Sequence, residues 1–179
     1  MKSKSQVWIE TVIYTLIGLT IIAIILATTT PLIEKYKDKM AIEQTESILT
    51  ELNNKIIDIK TSGTGNSRII PELSIKKGVL EIDYTNNKII YTLEGTNLQY
   101  SQPGSEIKSG DIIVKTEAQN KKYKITLSLV YSDVILSHGT DTIKTLYPSK
   151  ILYKLYIENK GVEAGASAGK VRIEIAEVS

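Results

Sequence analysis

Glu10 is the side chain whose placement asks most urgently for a chemical reason. It stands four residues after Gln6 and directly against Thr11 to Ile33, a run of about 23 residues without a charge. A carboxylate at membrane depth costs on the order of 2.5–3.5 kcal/mol, so a charge in that place calls for a partner or a purpose. Other chemistry is thinly supplied. Asp133, His138 and Asp141 lie close together beside Gly139 and carry ligand atoms suited to a metal. A lone His in a polar loop is more often simply exposed, however, and no metal is assigned. Glu117 is a carboxylate of the strand-forming half, where register and not sequence distance sets any carboxylate pair, so no acid–base role follows. The loop Thr61 to Ser67 contains Gly63 and Gly65, but no strand precedes it and no Gly-Lys-Ser/Thr follows, which excludes a phosphate cradle.

Composition narrows the field further. The chain has 179 residues, no Cys and one His. It therefore has no thiolate nucleophile, disulfide or sulfur-ligated metal, and little material for a catalytic triad. With 22 basic and 20 acidic residues its net charge is +2, too small to indicate a nucleic-acid partner. The sequence predicts a non-enzyme without catalytic residues or cofactor.

The elements that must position Glu10 follow from the hydropathy pattern. Thr11 to Ile33 makes roughly 34 Å of helix, enough to cross a bilayer core. The run is too long for a secretory signal peptide, and Pro31-Leu32-Ile33-Glu34 after it offers no small-x-small cleavage site. Beyond Pro31, where a helix kink is expected, Ala41, Thr45, Ile48, Leu49, Leu52, Ile56 and Ile59 recur at three- and four-residue steps. Glu43, Glu46, Glu51, Asn54 and Asp58 fall on other faces. A helix from Val7 to about Ile59 would be roughly 80 Å long.

From Arg68 onward the period becomes two. Val79–Tyr84 and Lys88–Leu93 flank Thr85-Asn86-Asn87 as a hairpin. Further strands are predicted at Asp111–Lys115, Lys122–Tyr131, Ile151–Ile157 and Lys170–Glu177, with shorter ones at Ile69–Ile75 and Val134–Leu136. Glu158-Asn159-Lys160-Gly161 and the small-residue loop Gly165–Gly169 are read as the connection between the last two. The fold class is thus α+β: a long N-terminal helix (6–60, apolar over about 7–33 and amphipathic over 34–60) packed on an antiparallel sandwich or barrel of seven or eight strands (68–179). The core has no Phe but ten Tyr. Tyr91, Tyr123 and Tyr131 would line any glycan-binding platform, although half-buried strand positions explain them as well.

The first residues, MKSKSQVWIETVIYTLIGLTIIAIIL, resemble the class III signal peptide of archaeal type IV pilins. The family pattern is a short basic leader, Gln as first mature residue and Glu at the fifth mature position, followed by an uninterrupted apolar helix. Here Lys2 and Lys4 supply the leader charge (residues 1–5), a prepilin peptidase would cut between Ser5 and Gln6, and Glu10 falls at the fifth mature position. Two positions depart from the pattern, Ser5 for the more usual Gly or Ala and Trp8 for a smaller residue. The resemblance covers about the first sixty residues.

It implies a precursor held in the cytoplasmic membrane, trimmed, and assembled by pilus machinery into a homo-oligomeric surface filament. Gln6 and Glu10 would be the assembly residues, the new amine of one subunit meeting the carboxylate of another. The head would face outward for adhesion, with surface glycans among its targets. An archaellin-type filament subunit and a single-pass membrane-anchored extracellular binding domain are the alternatives.

Overall fold

The structure is a computed structural model and describes residues 4–164 and 169–178. Lys2 and the centre of the predicted loop Gly165–Gly169 lie outside the described residues. The chain divides into two compact units, Met1–Lys37 and Asp38–Ser179.

A single helix, α1 (Lys4–Thr61), supplies the first unit and the opening of the second. Pro31 lies inside it without ending it. In the first unit every large apolar side chain from Val7 to Ile33 is exposed. Five of the six threonines of this stretch close on their own helix: the hydroxyls of Thr11, Thr20 and Thr30 donate to the carbonyls of Val7, Leu16 and Leu26 at 2.8–2.9 Å. Thr15 and Thr28 do the same at 2.9–3.1 Å. Hydroxyls satisfied in this way can enter an apolar environment without leaving a donor stranded.

The second unit joins the end of α1 to ten strands among the described residues: β1 (Ser67–Leu73), β2 (Val79–Asp83), β3 (Lys88–Thr96), β4 (Glu106–Ser109), β5 (Ile112–Gln119), β6 (Lys122–Val130), β7 (Val134–Ser137), β8 (Ile143–Leu146), β9 (Tyr153–Val162) and β10 (Val171–Glu177). They form a four-stranded sheet in the order β1-β9-β10-β7 and a six-stranded sheet in the order β4-β5-β6-β3-β2-β8. Alternate residues of each sheet, among them Leu80 and Ile82, Ile125 and Leu127, Leu155 and Ile157, and Ile173 and Ile175, enter one core. Ile42, Leu49, Leu52, Ile56 and Ile59 of α1 enter the same core. The α+β class and the long apolar N-terminal helix read from the sequence are therefore present.

Several details differ from the sequence reading. Among the described residues there are ten strands where about seven or eight are expected, because four-residue β4 and β8 are too short to display a period. The sheets are not wholly antiparallel: β7 and β10 run parallel, pairing Val134 with Val171 and Leu136 with Ile173. Glu158–Gly161 is not a connection. It continues β9, where a bulge opposite Arg172 and Ile173 absorbs Lys160 as an extra residue. The predicted hairpin stands, with Asn87 in the left-handed region (φ 52°) and the Asn86 N–H donating to Asp83 Oδ1 at 2.9 Å.

Helix α1 ends on a side chain from the far end of the sequence. The buried Asn159 donates through Nδ2 to the Ile59 carbonyl (2.9 Å) and accepts through Oδ1 from the Gly161 N–H (2.8 Å). Backbone bonds Gly65 N–H to Asn159 O and Asn159 N–H to Asn66 O, 2.8 and 3.0 Å, lock the loop after the helix onto β9. Asn159→Ala removes both bonds: the Ile59 carbonyl keeps only the longer bond from the Ser62 N–H (3.2 Å) and the half-buried Gly161 N–H loses this acceptor, which together cost about 1–3 kcal/mol. Melting of the detergent-solubilised chain should show that loss in full, whereas Lys160→Ala beside it should change stability little.

Candidate functional site

The candidate site is the apolar stretch of α1 with Glu10 near its start. Mean hydropathy there reaches 2.3 with none of the window buried, so the helix is long and apolar enough to cross a membrane. Trp8 and Tyr14 are the most exposed of its aromatics, at 71% and 72%. Glu10 is half-buried and sits on the helix between them. Burying the side chains of Val7 to Ile33 away from water is favourable by tens of kcal/mol, at roughly 1.5–3 kcal/mol for each large apolar group. Lipid provides that cover, and so does a bundle of like helices. Lys4, Ser5 and Gln6 fall in the first turns of α1.

Further along, α1 presents polar side chains that the head grips. Asp38 is buried (1% exposed) and ion-pairs with Lys77 from the β1–β2 connection, while Thr96 at the end of β3 donates its hydroxyl to the other carboxylate oxygen. The Leu98 N–H donates to Thr96 Oγ1 (2.9 Å), completing a relay from backbone to carboxylate. Glu46 accepts from Tyr100 (3.2 Å) and from Ser109. The buried Asn53 donates to Asp111 Oδ2 (2.8 Å) and accepts from the Tyr131 hydroxyl (3.0 Å). Lys60 ion-pairs with Asp133, and Arg68 Nε with Asp58 at 2.8 Å. Together these contacts fix the register of α1 against the sheets.

The sequence reading of this half of α1 was right for Thr45, Leu49, Leu52, Ile56 and Ile59. It missed Asp38, Ile42 and Asn53, all buried, and did not foresee that the head binds Glu46, which it placed off the apolar stripe. Charge and polarity hid Asp38 and Asn53. The available clue was their spacing, since 38, 42, 45, 49, 53 and 56 continue one three- and four-residue row.

The remaining candidates are dispersed. Asp133 is held by Lys60, which keeps its carboxyl below the usual range, and so is not joined to His138. His138 instead lies 3.5 Å from Glu174 and 3.9 Å from Asp141. Among the described residues no three His, Asp or Glu side chains are grouped to hold a metal. Glu117 pairs with Lys115 at 2.9 Å on an exposed surface. Tyr91 is fully buried, so Tyr91, Tyr123 and Tyr131 do not share one exposed platform. No family model, curated protein or solved structure matches this chain. The functional reading rests on its own residues.

Three phenols of the head are set apart by burial. Tyr84 donates to the Ile175 carbonyl (2.9 Å), Tyr91 to the Lys77 carbonyl (2.7 Å), and Tyr131 to Asn53. Burial disfavours each phenolate and raises all three pKa values, that of Tyr91 to about 12. Their contribution to stability is complete below the unfolded value near 10 and is lost as pH rises through the raised folded values. Phenolate absorbance in an alkaline titration should therefore show most tyrosines ionising smoothly. A delayed group should follow, coincident with loss of circular dichroism.

Proposed function

We propose that this chain is the structural subunit of an archaeal type IV pilus-like filament. It is inserted in the cytoplasmic membrane as a precursor, trimmed between Ser5 and Gln6, and assembled through α1 into a surface filament. The observation that carries the reading is the helix from Val7 to Ile33, apolar, with every large apolar side chain exposed and five of its six threonine hydroxyls closed on the backbone. Such a rod is stable in lipid, and equally so among identical rods.

The trimming step does what the sequence order requires. It removes Lys2 and Lys4, the charges that hold the start of the helix at the cytoplasmic face, and creates an α-ammonium at Gln6. Glu10 of a neighbouring subunit then supplies the opposite charge in a medium of low dielectric constant, so the pair selects the stagger between subunits. The head is carried outward, its contacts on Asp38, Glu46 and Asn53 making it rigid on the second half of α1. Attachment to surfaces is its role in this reading.

Co-expression with a class III prepilin peptidase tests the first step. Intact mass should fall by the mass of residues 1–5, and Gln6→Ala with Ser5→Leu should abolish the change. A chain that keeps Met1 in the presence of active peptidase is a permanently anchored extracellular domain instead.

A further inference from the structure

The face of the six-stranded sheet that points away from the core carries an open groove. It lies across β8, β2, β3 and β6 and has a volume of about 570 Å³, within the size range of small-ligand sites. Strand alternation puts its side chains there. Glu81 stands between the buried Leu80 and Ile82, and Thr92 between the buried Tyr91 and Leu93. Thr145 is the register partner of Glu81, and Val79, two residues before Glu81, is that of Thr92. Side chains directly opposite on a ladder lie about 5 Å apart. A carboxylate and two hydroxyls are thus grouped on three adjacent strands.

The fold uses none of the three. Among the described residues the side chains of Glu81, Thr92 and Thr145 take part in no hydrogen bond or ion pair, although each is half-buried. Other sheet carboxylates are held: Glu117 by Lys115, Glu174 by Lys160 and Glu177 by Lys144. At the β6 side of the groove Glu94 and Lys124 neutralise each other at 3.0 Å, and Lys77 is engaged by Asp38. Tyr147 borders the β8 side with 61% of its surface exposed. Its backbone is fixed, because the Tyr153 hydroxyl donates to the Tyr147 carbonyl at 2.9 Å.

These groups define the ligand by exclusion and by match. An anion would meet Glu81 with no uncommitted cation beside it, and a lipid chain would strand the carboxylate away from water. A sugar satisfies every group. Its hydroxyls donate to Glu81 and both donate to and accept from Thr92 and Thr145. Its apolar C–H face lies against the negative face of the Tyr147 ring.

We propose that this groove binds a neutral oligosaccharide, with Glu81, Thr92 and Thr145 holding its hydroxyls and Tyr147 stacking on one of its rings. Tyr91, Tyr123 and Tyr131 do not line it. The inference names a ligand for the attachment role proposed above and rests on that reading for its purpose alone, since binding requires neither trimming nor a filament.

The test uses the full-length, untrimmed chain in lauryldimethylamine oxide, a detergent without a sugar headgroup. It is titrated with α- and β-linked tetrasaccharides of glucose, mannose and galactose, and with tetragalacturonate and a sulfated heparin tetrasaccharide as acidic counterparts. Saturation-transfer NMR reads binding. At least one neutral tetrasaccharide should bind saturably, and the acidic ones should not. Glu81→Gln and Tyr147→Ala should each raise its Kd about tenfold, and Thr145→Val about fivefold, with melting unchanged. Lys76→Gln, in the separate hollow that Lys76 shares with Lys150, should leave the Kd as it is. Saturable binding by none of the neutral sugars overturns the inference. So does binding confined to the acidic ones, or binding that survives Glu81→Gln and Tyr147→Ala but falls in Lys76→Gln. Filaments of trimmed subunits that bind no neutral sugar would remove the groove and keep the structural subunit, whereas a chain that always keeps Met1 yet binds would do the reverse.

Discussion

Cells producing Glu10→Ala should carry no filaments while holding as much of the protein in their membranes as before. The Ala side chain shortens nothing in the apolar run and removes its one carboxylate. Insertion should improve slightly, because a charge at that depth costs on the order of 2.5–3.5 kcal/mol. Assembly should fail for the complementary reason. The α-ammonium created at Gln6 would enter a helix bundle with no anion to meet it, and an uncompensated charge in such a place costs about 3–5 kcal/mol, repeated at every subunit. Glu10→Asp keeps the charge and should retain a fraction of the filaments; Glu10→Gln should behave as Ala does. The readouts are the yield of sheared surface material and immunoblotting of the membrane fraction. A subunit that is simply anchored would show neither change. Filaments at normal yield from Glu10→Ala would remove the electrostatic role assigned to this residue.

The second large effect concerns the head. Gly78 adopts φ +75°, and a Cβ there would lie 2.6 Å from the Thr92 carbonyl oxygen and 2.6 Å from the phenol end of Tyr91. The left-handed conformation costs a non-glycine residue about 1–2 kcal/mol, and forcing a methyl into an occupied space typically costs about 1–3 kcal/mol. Tyr91 cannot move aside freely, since it is fully buried and its hydroxyl donates to the Lys77 carbonyl at 2.7 Å. Losing that bond adds about 1 kcal/mol. Gly78→Ala should therefore destabilise the head by roughly 3–6 kcal/mol. Gly104, with φ +82° and nothing within 4 Å of a built Cβ, isolates the conformational part. Gly104→Ala should cost only about 1–2 kcal/mol. Equal losses in the two variants, measured by denaturant unfolding in detergent, would mean that the space around Gly78 is not as tight as the contacts indicate.

What could be read in advance was what local pattern carries. The uncharged run at 11–33 announces a long apolar helix, the row Leu49, Leu52, Ile56, Ile59 announces its burial through spacing alone, and Asn86-Asn87 between two alternating runs announces a hairpin. What escaped depends on partners distant in sequence. Asp38 meets Thr96 and Lys77, Asn53 meets Asp111 and Tyr131, and Asn159 meets Ile59. A buried polar residue looks like an exposed one until its partner is known, because burial is acceptable only once the hydrogen bond exists. The parallel pairing of β7 with β10 was invisible for the same reason, since side-chain alternation is identical in either direction.

The most direct measurement is electron cryomicroscopy of material sheared from the cell surface without detergent, together with mass spectrometry of its N-terminus. The account predicts filaments whose centre is a bundle of helices built from residues 7–33, with Gln6 as first residue and Glu10 next to a neighbouring amine. Recovery only with detergent, as single copies still beginning at Met1, would contradict it.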